Sequence, residues 1–257
     1  MADELFSVEG KRIFITGGAS GIGRMISEGL AQRGARIFTC SRKQASLDDL
    51  TAALPGKDVR AEQADLSKLE DIERMAQTAS EHFDGKLDVL INNAGATWGA
   101  KIDEYPEDGW DKVFDLNVKS LFFLTQKCLP MLRAAADPPA NLSRVVNIGS
   151  ISGIQNPADD AWAYHPAKAA VHHLTQTLAK RLVADGIAVN AIAPGLFPSK
   201  MTAFMMPGGD QSLVKGAIPM GRAGGPSDIV GTVVYLISAA SGFTTGSLIK
   251  VDGGTAL

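Results

Sequence analysis

Three residues of the chain have side chains whose types and spacing suit proton transfer, namely Ser150, Tyr164 and Lys168. Tyr164 and Lys168 are four positions apart, and residues at this spacing share one face of a helix. A neighbouring ammonium favours the phenolate and so lowers the pKa of a tyrosine, which can then exchange a proton with an alcohol or a ketone near neutral pH. Ser150 ends an apolar strand pattern a short distance upstream, and its hydroxyl could form a hydrogen bond with the same substrate oxygen. Because the tyrosine–lysine spacing alone is common in helices, the rest of the chain decides whether this pair is functional.

A glycine-rich segment near the amino terminus predicts a binding site for the phosphates of a dinucleotide. The apolar run Arg12–Thr16 predicts a buried strand, and Gly17, Gly21 and Gly23 follow it in a turn that leads into a helical pattern. Glycines let the backbone turn tightly and approach a pyrophosphate, and the helix N-terminus offers free N–H groups and a positive dipole end. The spacing differs from Gly-x-Gly-x-x-Gly, because three residues separate the first two glycines.

Several motifs, in this order, resemble those of the short-chain dehydrogenase/reductase family in its single-domain form. They are the loop Thr16-Gly17-Gly18-Ala19-Ser20-Gly21-Ile22-Gly23, the pair Asp65-Leu66, the segment Asn92-Asn93-Ala94-Gly95, the catalytic set Asn117, Ser150, Tyr164 and Lys168, and the turn Pro194-Gly195. The resemblance covers nearly the whole chain, and five motifs in the family's order are far more specific than any one of them.

This resemblance implies a role for each matched position. Tyr164 is the expected general acid in ketone reduction and general base in alcohol oxidation, while Ser150 orients the substrate oxygen. Lys168 is expected to lower the tyrosine pKa and to hold the nicotinamide ribose, and Asn117 to interrupt its helix and hold a water that links Lys168 to solvent. The implied cofactor-binding residues are Gly17, Ser20, Gly21, Ile22, Gly23, Asp65, Leu66, Asn93, Ala94, Gly95, Tyr164, Lys168, Pro194, Gly195, Phe197 and Ser199.

Apolar runs alternate with helical patterns along the chain, which predicts an α/β, doubly wound Rossmann fold in one domain, 1–257. Seven parallel strands are expected at 12–16, 36–40, 59–64, 87–92, 143–150, 187–192 and 247–251. Helices are expected on both faces of the sheet, at 21–33, 46–53, 68–82, 106–133, 161–184 and 226–238. The strand patterns are almost continuously apolar, as expected where helices cover both faces of a sheet.

Composition and charge limit the function classes that the chain can belong to. Of its 257 residues, 45% are hydrophobic and 21% charged, which is typical of a globular protein, and the net charge of -3 argues against a nucleic-acid surface. The two cysteines provide no disulfide framework, and the histidines lack ligand spacing, so no metal site is predicted. The sequence shows neither a signal-peptide pattern nor a bilayer-spanning apolar run. We therefore expect a cytoplasmic protein without a membrane partner.

The end of the second predicted strand indicates which dinucleotide is bound. NAD-binding proteins usually carry an acidic residue there, which accepts a hydrogen bond from the ribose 2′-hydroxyl. This chain has Ser41 at that position, followed by Arg42 and Lys43. An arginine fork suits a 2′-phosphate, so NADP(H) is predicted, with NAD(H) as the alternative. Ser20 counts against this, because many NADP-using relatives have a basic residue at that place in the glycine loop.

The segment at approximately 196–220 is expected to form a lid over the substrate, as the corresponding segment does in the family. Pro207-Gly208-Gly209 predicts a flexible break within it. Trp98 and Trp162 either line the same cleft or are structural. The lid's apolar and adaptable character, which favours a bulky apolar ketone or a fatty acyl chain over a sugar, comes from Met201, Phe204, Met205 and Met206.

Together these features predict an NADP(H)-dependent carbonyl reductase or secondary alcohol dehydrogenase that acts on an apolar ketone or alcohol. A 3-oxoacyl thioester is the main alternative substrate. A non-catalytic dinucleotide sensor is the alternative of another class, although such proteins usually lack the tyrosine or the lysine that this chain retains. The resemblance also implies a homotetramer or a homodimer.

Overall fold

Seven parallel strands form one sheet in the computed structural model, which describes residues 4–157, 159–199, 201–203 and 216–257. The strand order is β3-β2-β1-β4-β5-β6-β7, and every neighbouring pair is parallel. The strands are β1 Arg12–Thr16, β2 Arg36–Ser41, β3 Val59–Gln63, β4 Val89–Asn92, β5 Ser143–Ile148, β6 Ile187–Pro194 and β7 Leu248–Val251. This topology confirms the predicted doubly wound Rossmann fold.

The α-helices in the described part of the chain connect these strands and cover the sheet. They are α1 Gly21–Ala31, α2 Gln44–Ala53, α3 Leu69–His82, α4 Glu107–Phe114, α5 Ser120–Ala135, α6 Tyr164–Leu182 and α7 Pro226–Ile237. None of the helices within the described ranges combines the length and the apolar character that crossing a membrane requires.

Two hydrophobic clusters pack against opposite faces of the sheet. On β1, Ile13 and Ile15 belong to the cluster that includes residues of α1 and α7, whereas Phe14 belongs to the cluster that includes residues of α3 and α5. Successive side chains of a strand point to opposite faces, so a continuously apolar strand contributes to both clusters. This explains why the strand patterns lack polar alternation.

The long helix predicted at 106–133 is divided by a π-helical turn, Asp115–Lys119, which lies between α4 and α5. Asn117 is buried in this turn, and its Nδ2 donates to the carbonyl oxygens of Val113 at 2.7 Å and Ala96 at 2.8 Å. The side chain thus takes up a helical carbonyl and anchors the turn to the segment after β4. The interruption expected at this residue is present.

The order of the strands reverses next to β1, which has β2 on one side and β4 on the other. The segments that follow these strands diverge there and leave a crevice at the carboxyl edge of the sheet. In doubly wound sheets this is where ligands bind. The predicted functional residues follow the carboxyl ends of the strands, and so the fold brings them to one edge.

Candidate active site

A cleft of about 410 Å³ lies at the carboxyl edge of the sheet and is lined by residues that follow six of the strands. It contains nearly all the residues that the sequence predicted for catalysis and cofactor binding. The predicted residues that line it are Gly17, Ser20, Gly21, Ile22, Ser41, Arg42, Lys43, Asp65, Leu66, Asn93, Ala94, Gly95, Asn117, Ser150, Tyr164, Lys168, Pro194, Gly195 and Ser199.

Two predicted residues, Gly23 and Phe197, do not line this cleft. A Cβ added to Gly23 would overlap the carbonyl oxygen of Gly17 and the side-chain amide of Asn93, so Gly23 is needed for the close packing of the loop. The Phe197 side chain is 2% exposed and packs against Gly224, in the wall of a second cavity. Its ring therefore lies away from the predicted cofactor site.

The glycine loop is held against the end of β4 by a set of short hydrogen bonds. The Thr16 hydroxyl accepts from the backbone N–H groups of Asn93 and Ala94, each at 2.9 Å, and Asn93 Nδ2 donates to the Thr16 carbonyl at 2.8 Å. Gly17 and Gly21 have φ angles of 66° and 52°, which lie in the left-handed region that glycine adopts without strain. The loop and the N-terminus of α1 thus form a rigid cradle that fits a pyrophosphate.

The opposite end of the cleft is basic at the position where an NAD site would be acidic. Ser41 ends β2, Arg42 and Lys43 follow it, and all three line the cleft. Gln63 Nε2 donates to the Arg42 carbonyl at 2.9 Å and fixes the backbone there. The carboxylate of Asp65, after β3, accepts from the backbone N–H and the hydroxyl of Ser67. Ser41 with the basic residues Arg42 and Lys43 fits a cofactor that carries a 2′-phosphate.

Sequence reasoning missed Cys40 and Ser46, which also line the cleft. Cys40 is fully buried, and burial raises the pKa of its thiol to about 12, so the group is an inert part of the wall. Ser46 belongs to the first turn of α2 and shares this end of the cleft with Arg42. The helix was expected to begin at residue 46, and no motif marks which of its first residues faces the cofactor.

Tyr164 begins α6, and the side chain of Ser150 lies close enough to its phenol to lower the pKa of that group. The pKa of Tyr164 is raised, because burial of the phenol outweighs the lowering by the Ser150 side chain, and the charge of Asp159 raises it further. Tyr164 is therefore protonated at neutral pH, in the form that donates a proton.

Lys168 lies one turn along α6, with Nζ 5.6 Å from the centroid of the Tyr164 ring. The residue is 5% exposed, and Nζ donates to the carbonyl oxygen of Ile148 at 2.8 Å. Burial lowers the pKa of Lys168 to about 8. The expected lowering of the tyrosine pKa is wrong for this geometry, because the cost of desolvating the phenolate dominates.

Asn117 leaves an acceptor in the wall of the cleft. Its Oδ1 is buried without a hydrogen-bond partner, while its Nδ2 is fully engaged in the π-helical turn. A Cβ placed on Gly95 would lie 2.7 Å from Oδ1 and 3.6 Å from Lys168 Nζ, so both polar groups approach the same glycine. An unpartnered buried carbonyl favours a bound donor, which is consistent with the water-holding role predicted for Asn117.

The start of the predicted lid lies over the glycine loop. A Cβ on Gly21 would be 3.1 Å from the Cβ of Ser199, and the hydroxyls of Ser199 and Thr202 are 3.0 Å apart. Met201 and Thr202 line the cleft as well. The other residues on which the apolar lid was predicted, Phe204, Met205, Met206 and the break at 207–209, lie outside the described residues.

The two candidate tryptophans do not line the cleft. Trp98 packs against Gly109, and the ammonium of Lys112 lies 4.6 Å from the centroid of its ring. Trp162 is partly exposed, and its Nε1 donates to the carbonyl oxygen of Ala100 at 3.0 Å. Both residues therefore tie the segment after β4 to the elements around it.

Comparisons with known proteins agree with this geometry. A family model described as enoyl-(acyl carrier protein) reductase matches residues 17–256. The chain is 44% identical to the rhamnolipids biosynthesis 3-oxoacyl-[acyl-carrier-protein] reductase of Pseudomonas aeruginosa, over 97% of each protein. It is 34% identical to a tropinone reductase homolog of Arabidopsis thaliana, over 98% of this chain and 94% of that protein.

Among solved structures, the Pseudomonas aeruginosa RhlG/NADP active-site complex superposes with a TM-score of 0.93 and 43% identity, over 99% of both chains. A short-chain dehydrogenase/reductase of Serratia marcescens, solved as a double mutant, has a TM-score of 0.87 and 30% identity, and covers 98% of this chain and 100% of that one. The likeness thus extends through the sheet, the cradle and the cleft, and includes a neighbour bound to NADP. The chain is an NADP(H)-dependent oxidoreductase that interconverts alcohols and ketones, and it belongs to the short-chain dehydrogenase/reductase family.

Proposed function

We propose that the chain reduces the carbonyl group of an apolar, bulky ketone and oxidises the corresponding secondary alcohol. The observation that carries this proposal is that Ser150, Tyr164 and Lys168 line one cleft together with the glycine cradle. The Ser150 side chain acts directly on the pKa of the Tyr164 phenol, so the two groups are close enough to reach a single substrate oxygen.

In reduction, the phenol of Tyr164 donates its proton to the carbonyl oxygen, and the Ser150 hydroxyl donates a hydrogen bond to the same oxygen. These two donors stabilise the negative charge that develops on that oxygen as the carbonyl is reduced. Lys168 contributes a positive charge beside the phenolate that remains, since its pKa of about 8 keeps most of it protonated at neutral pH. In oxidation the proton moves in the opposite direction.

NADP(H) would be held by the glycine loop, by Arg42 and Lys43 at the 2′-phosphate, and by Lys168 at the nicotinamide ribose. When bound, the cofactor supplies or accepts the hydride. Ser150 and Lys168 are both buried, and the lower local dielectric strengthens their electrostatic contacts.

Apolar side chains in the cleft support an apolar substrate. Leu116 and Ile148 line the cleft near the reacting groups, and Met201 lines it at the start of the lid segment. The only carboxylate among the described lining residues is Asp65, which lies after β3 and is engaged by Ser67. A sugar-like ketone needs several polar partners, and the described wall around Tyr164 offers few beyond Ser150 and Asn117.

A 3-oxoacyl thioester is the second candidate substrate, and one observation favours it. The relative with 44% identity carries the name of a 3-oxoacyl-[acyl-carrier-protein] reductase, and its sequence aligns with 97% of this chain. Both candidates present a ketone attached to an apolar chain, so the same catalytic residues serve either one. The difference between them lies in the carrier or second substituent, which is bound outside the catalytic centre.

A substrate panel with the wild-type chain distinguishes the candidates. The oxidation of NADPH and of NADH is followed with aryl ketones, medium-chain ketones, a 3-oxoacyl thioester and a sugar-like ketone. We expect turnover with NADPH on the apolar ketones. Turnover on the thioester alone would favour the 3-oxoacyl thioester and a role in acyl-chain metabolism. Turnover on the sugar-like ketone alone would contradict the proposal of an apolar substrate.

A further inference from the structure

Ser150 is held in a tight turn between two glycines, both of which lie against α6. The turn Ile151–Gly153 follows β5, and the Ser150 hydroxyl accepts from the backbone N–H of Ser152 at 3.1 Å. A Cβ on Gly153 would lie 2.6 Å from the carbonyl carbon of Lys168, so only a glycine lets the turn approach the helix this closely. The turn that carries Ser150 thus rests directly on the helix that carries Tyr164.

His172 fills the contact between this turn and α6. The backbone N–H of Ser150 donates to His172 Nε2 at 3.4 Å, and the imidazole also packs against the Gly153 backbone. A Cβ added to Gly149 would overlap Nε2, and one added to Gly153 would lie 2.7 Å from Cε1. The imidazole is therefore enclosed by the backbone on both sides of Ser150.

The imidazole is neutral at physiological pH. Burial and, to a smaller extent, the charge of Lys168 one turn away lower the pKa of His172 to about 4, although the Gly153 backbone acts in the opposite direction. A neutral imidazole has one acceptor nitrogen and one donor nitrogen. Since Nε2 accepts from Ser150, the proton resides on Nδ1. Only this tautomer of the neutral ring can accept the Ser150 N–H at Nε2.

We propose that His172 is a positioning residue for carbonyl reduction, because its imidazole holds the Ser150 turn in register with Tyr164 and Lys168 on α6. This inference rests on the proposed function. His172 does not line the cleft and has no contact with the reacting oxygen. It acts on the substrate only through the backbone of Ser150, whose hydroxyl it keeps beside the phenol of Tyr164.

Two substitutions at residue 172 separate positioning from bulk packing. His172→Leu keeps an apolar side chain of similar size but lacks an acceptor, whereas His172→Gln offers Oε1 near the position of Nε2. His173→Leu is the matched control, since His173 is the next residue of α6 and is exposed. The measurements are kcat and KM for a ketone, the NADPH dissociation constant, the midpoint of thermal unfolding, and hydrogen exchange at the Ser150 amide.

We expect His172→Leu to lower kcat by about fivefold or more, as for a lost hydrogen bond, with the NADPH dissociation constant unchanged within about twofold. His172→Gln should recover most of kcat, and the Ser150 amide should exchange faster in His172→Leu only. Near-normal kcat in His172→Leu, no advantage of Gln over Leu, or an unchanged Ser150 amide would each overturn the inference.

If His172→Leu does not fold, His172→Asn replaces it, because the asparagine amide is too short to reach the Ser150 N–H. A wild-type chain that reduces no ketone would overturn the proposed function alone, and the Ser150 amide exchange would then decide whether His172 holds the turn.

Discussion

At the scale of single residues, burial decides the protonation states of the catalytic groups. It raises the pKa of the Tyr164 phenol and lowers that of the Lys168 ammonium to about 8, because each loses the hydration that stabilises its charged form. At neutral pH the pair holds both protons, which suits the reductive direction.

The pH dependence of the two directions follows from these shifts. Reduction uses protonated Tyr164 and the charge on Lys168, so its rate should be level below about pH 8 and fall above it, as Lys168 loses its proton. Oxidation needs Tyr164 deprotonated, and since the pKa of Tyr164 is raised, its rate should increase into the alkaline range. Steady-state rates in both directions across pH 6 to about pH 10 test this. A reduction rate that climbs between neutral pH and about pH 9 would contradict the assigned states.

Tyr164, Lys168 and Ser150 were predictable from the sequence, but their pKa directions were not. The spacing of Tyr164 and Lys168 shows that they share a helical face, yet it contains no information on how deeply each is buried. The contact of His172 with Ser150 is also absent from any linear pattern, since 22 positions separate the two residues. The sequence analysis tested the histidines only for metal-ligand spacing, which they lack, and it assigned His172 no role.

At the scale of elements, we propose that the junction between β2 and α2 selects the cofactor. Ser41 ends the strand, Lys43 precedes the helix in an extended conformation, and Arg42 lies between them with its carbonyl bound by Gln63. A short junction of this kind gives the Arg42 backbone one fixed position at the mouth of the cleft. Arg42 and Lys43 both line the cleft there, which is the arrangement that a 2′-phosphate would require.

Removal of the Arg42 side chain should weaken the binding of NADPH and leave that of NADH nearly unchanged. A charge-assisted hydrogen bond contributes about 1.5–3 kcal/mol, so Arg42→Ala should raise KM for NADPH by about 10- to 100-fold. Arg33→Ala is the control, because Arg33 binds the carbonyl of Gly29 on α1 and does not line the cleft. Equal increases in KM for NADPH and NADH would mean that Arg42 does not bind the 2′-phosphate.

The π-helical turn at Asp115–Lys119 shows how one polar residue changes an element. The helical pattern in the sequence predicted a single helix at 106–133, and the local break at Asn117 was implied only by the resemblance to the family. The two carbonyl groups that Asn117 binds, on Val113 and Ala96, come from different segments. The contact with Ala96 could not be predicted from the sequence, because Ala96 lies in a different segment that only the tertiary structure brings close to Asn117.

At the scale of the whole molecule, the strand order accounts for the position of the cleft. Because β1 lies between β2 and β4, the glycine loop, the basic junction and the Asn93 segment meet at one edge. The alternation of strands and helices predicted a doubly wound sheet and seven strands. The sequence predicted Phe197 at the cofactor site, but the backbone after β6 directs its ring into a different cavity. The alternation of strands and helices does not determine the direction of a side chain in a loop.

Replacement of Tyr164 by phenylalanine tests most directly the claim that this cleft reduces ketones with the phenol as the acid. Tyr164→Phe and the control Tyr235→Phe, whose hydroxyl contacts Thr244 outside the cleft, are compared with the wild type for ketone-dependent NADPH oxidation and for NADPH binding. We predict that Tyr164→Phe loses about 10²- to 10⁴-fold in kcat, the usual contribution of a general acid, while its NADPH affinity changes by less than about threefold. Tyr235→Phe should remain near wild-type activity. A Tyr164→Phe variant that turns over a ketone at the wild-type rate would contradict the account.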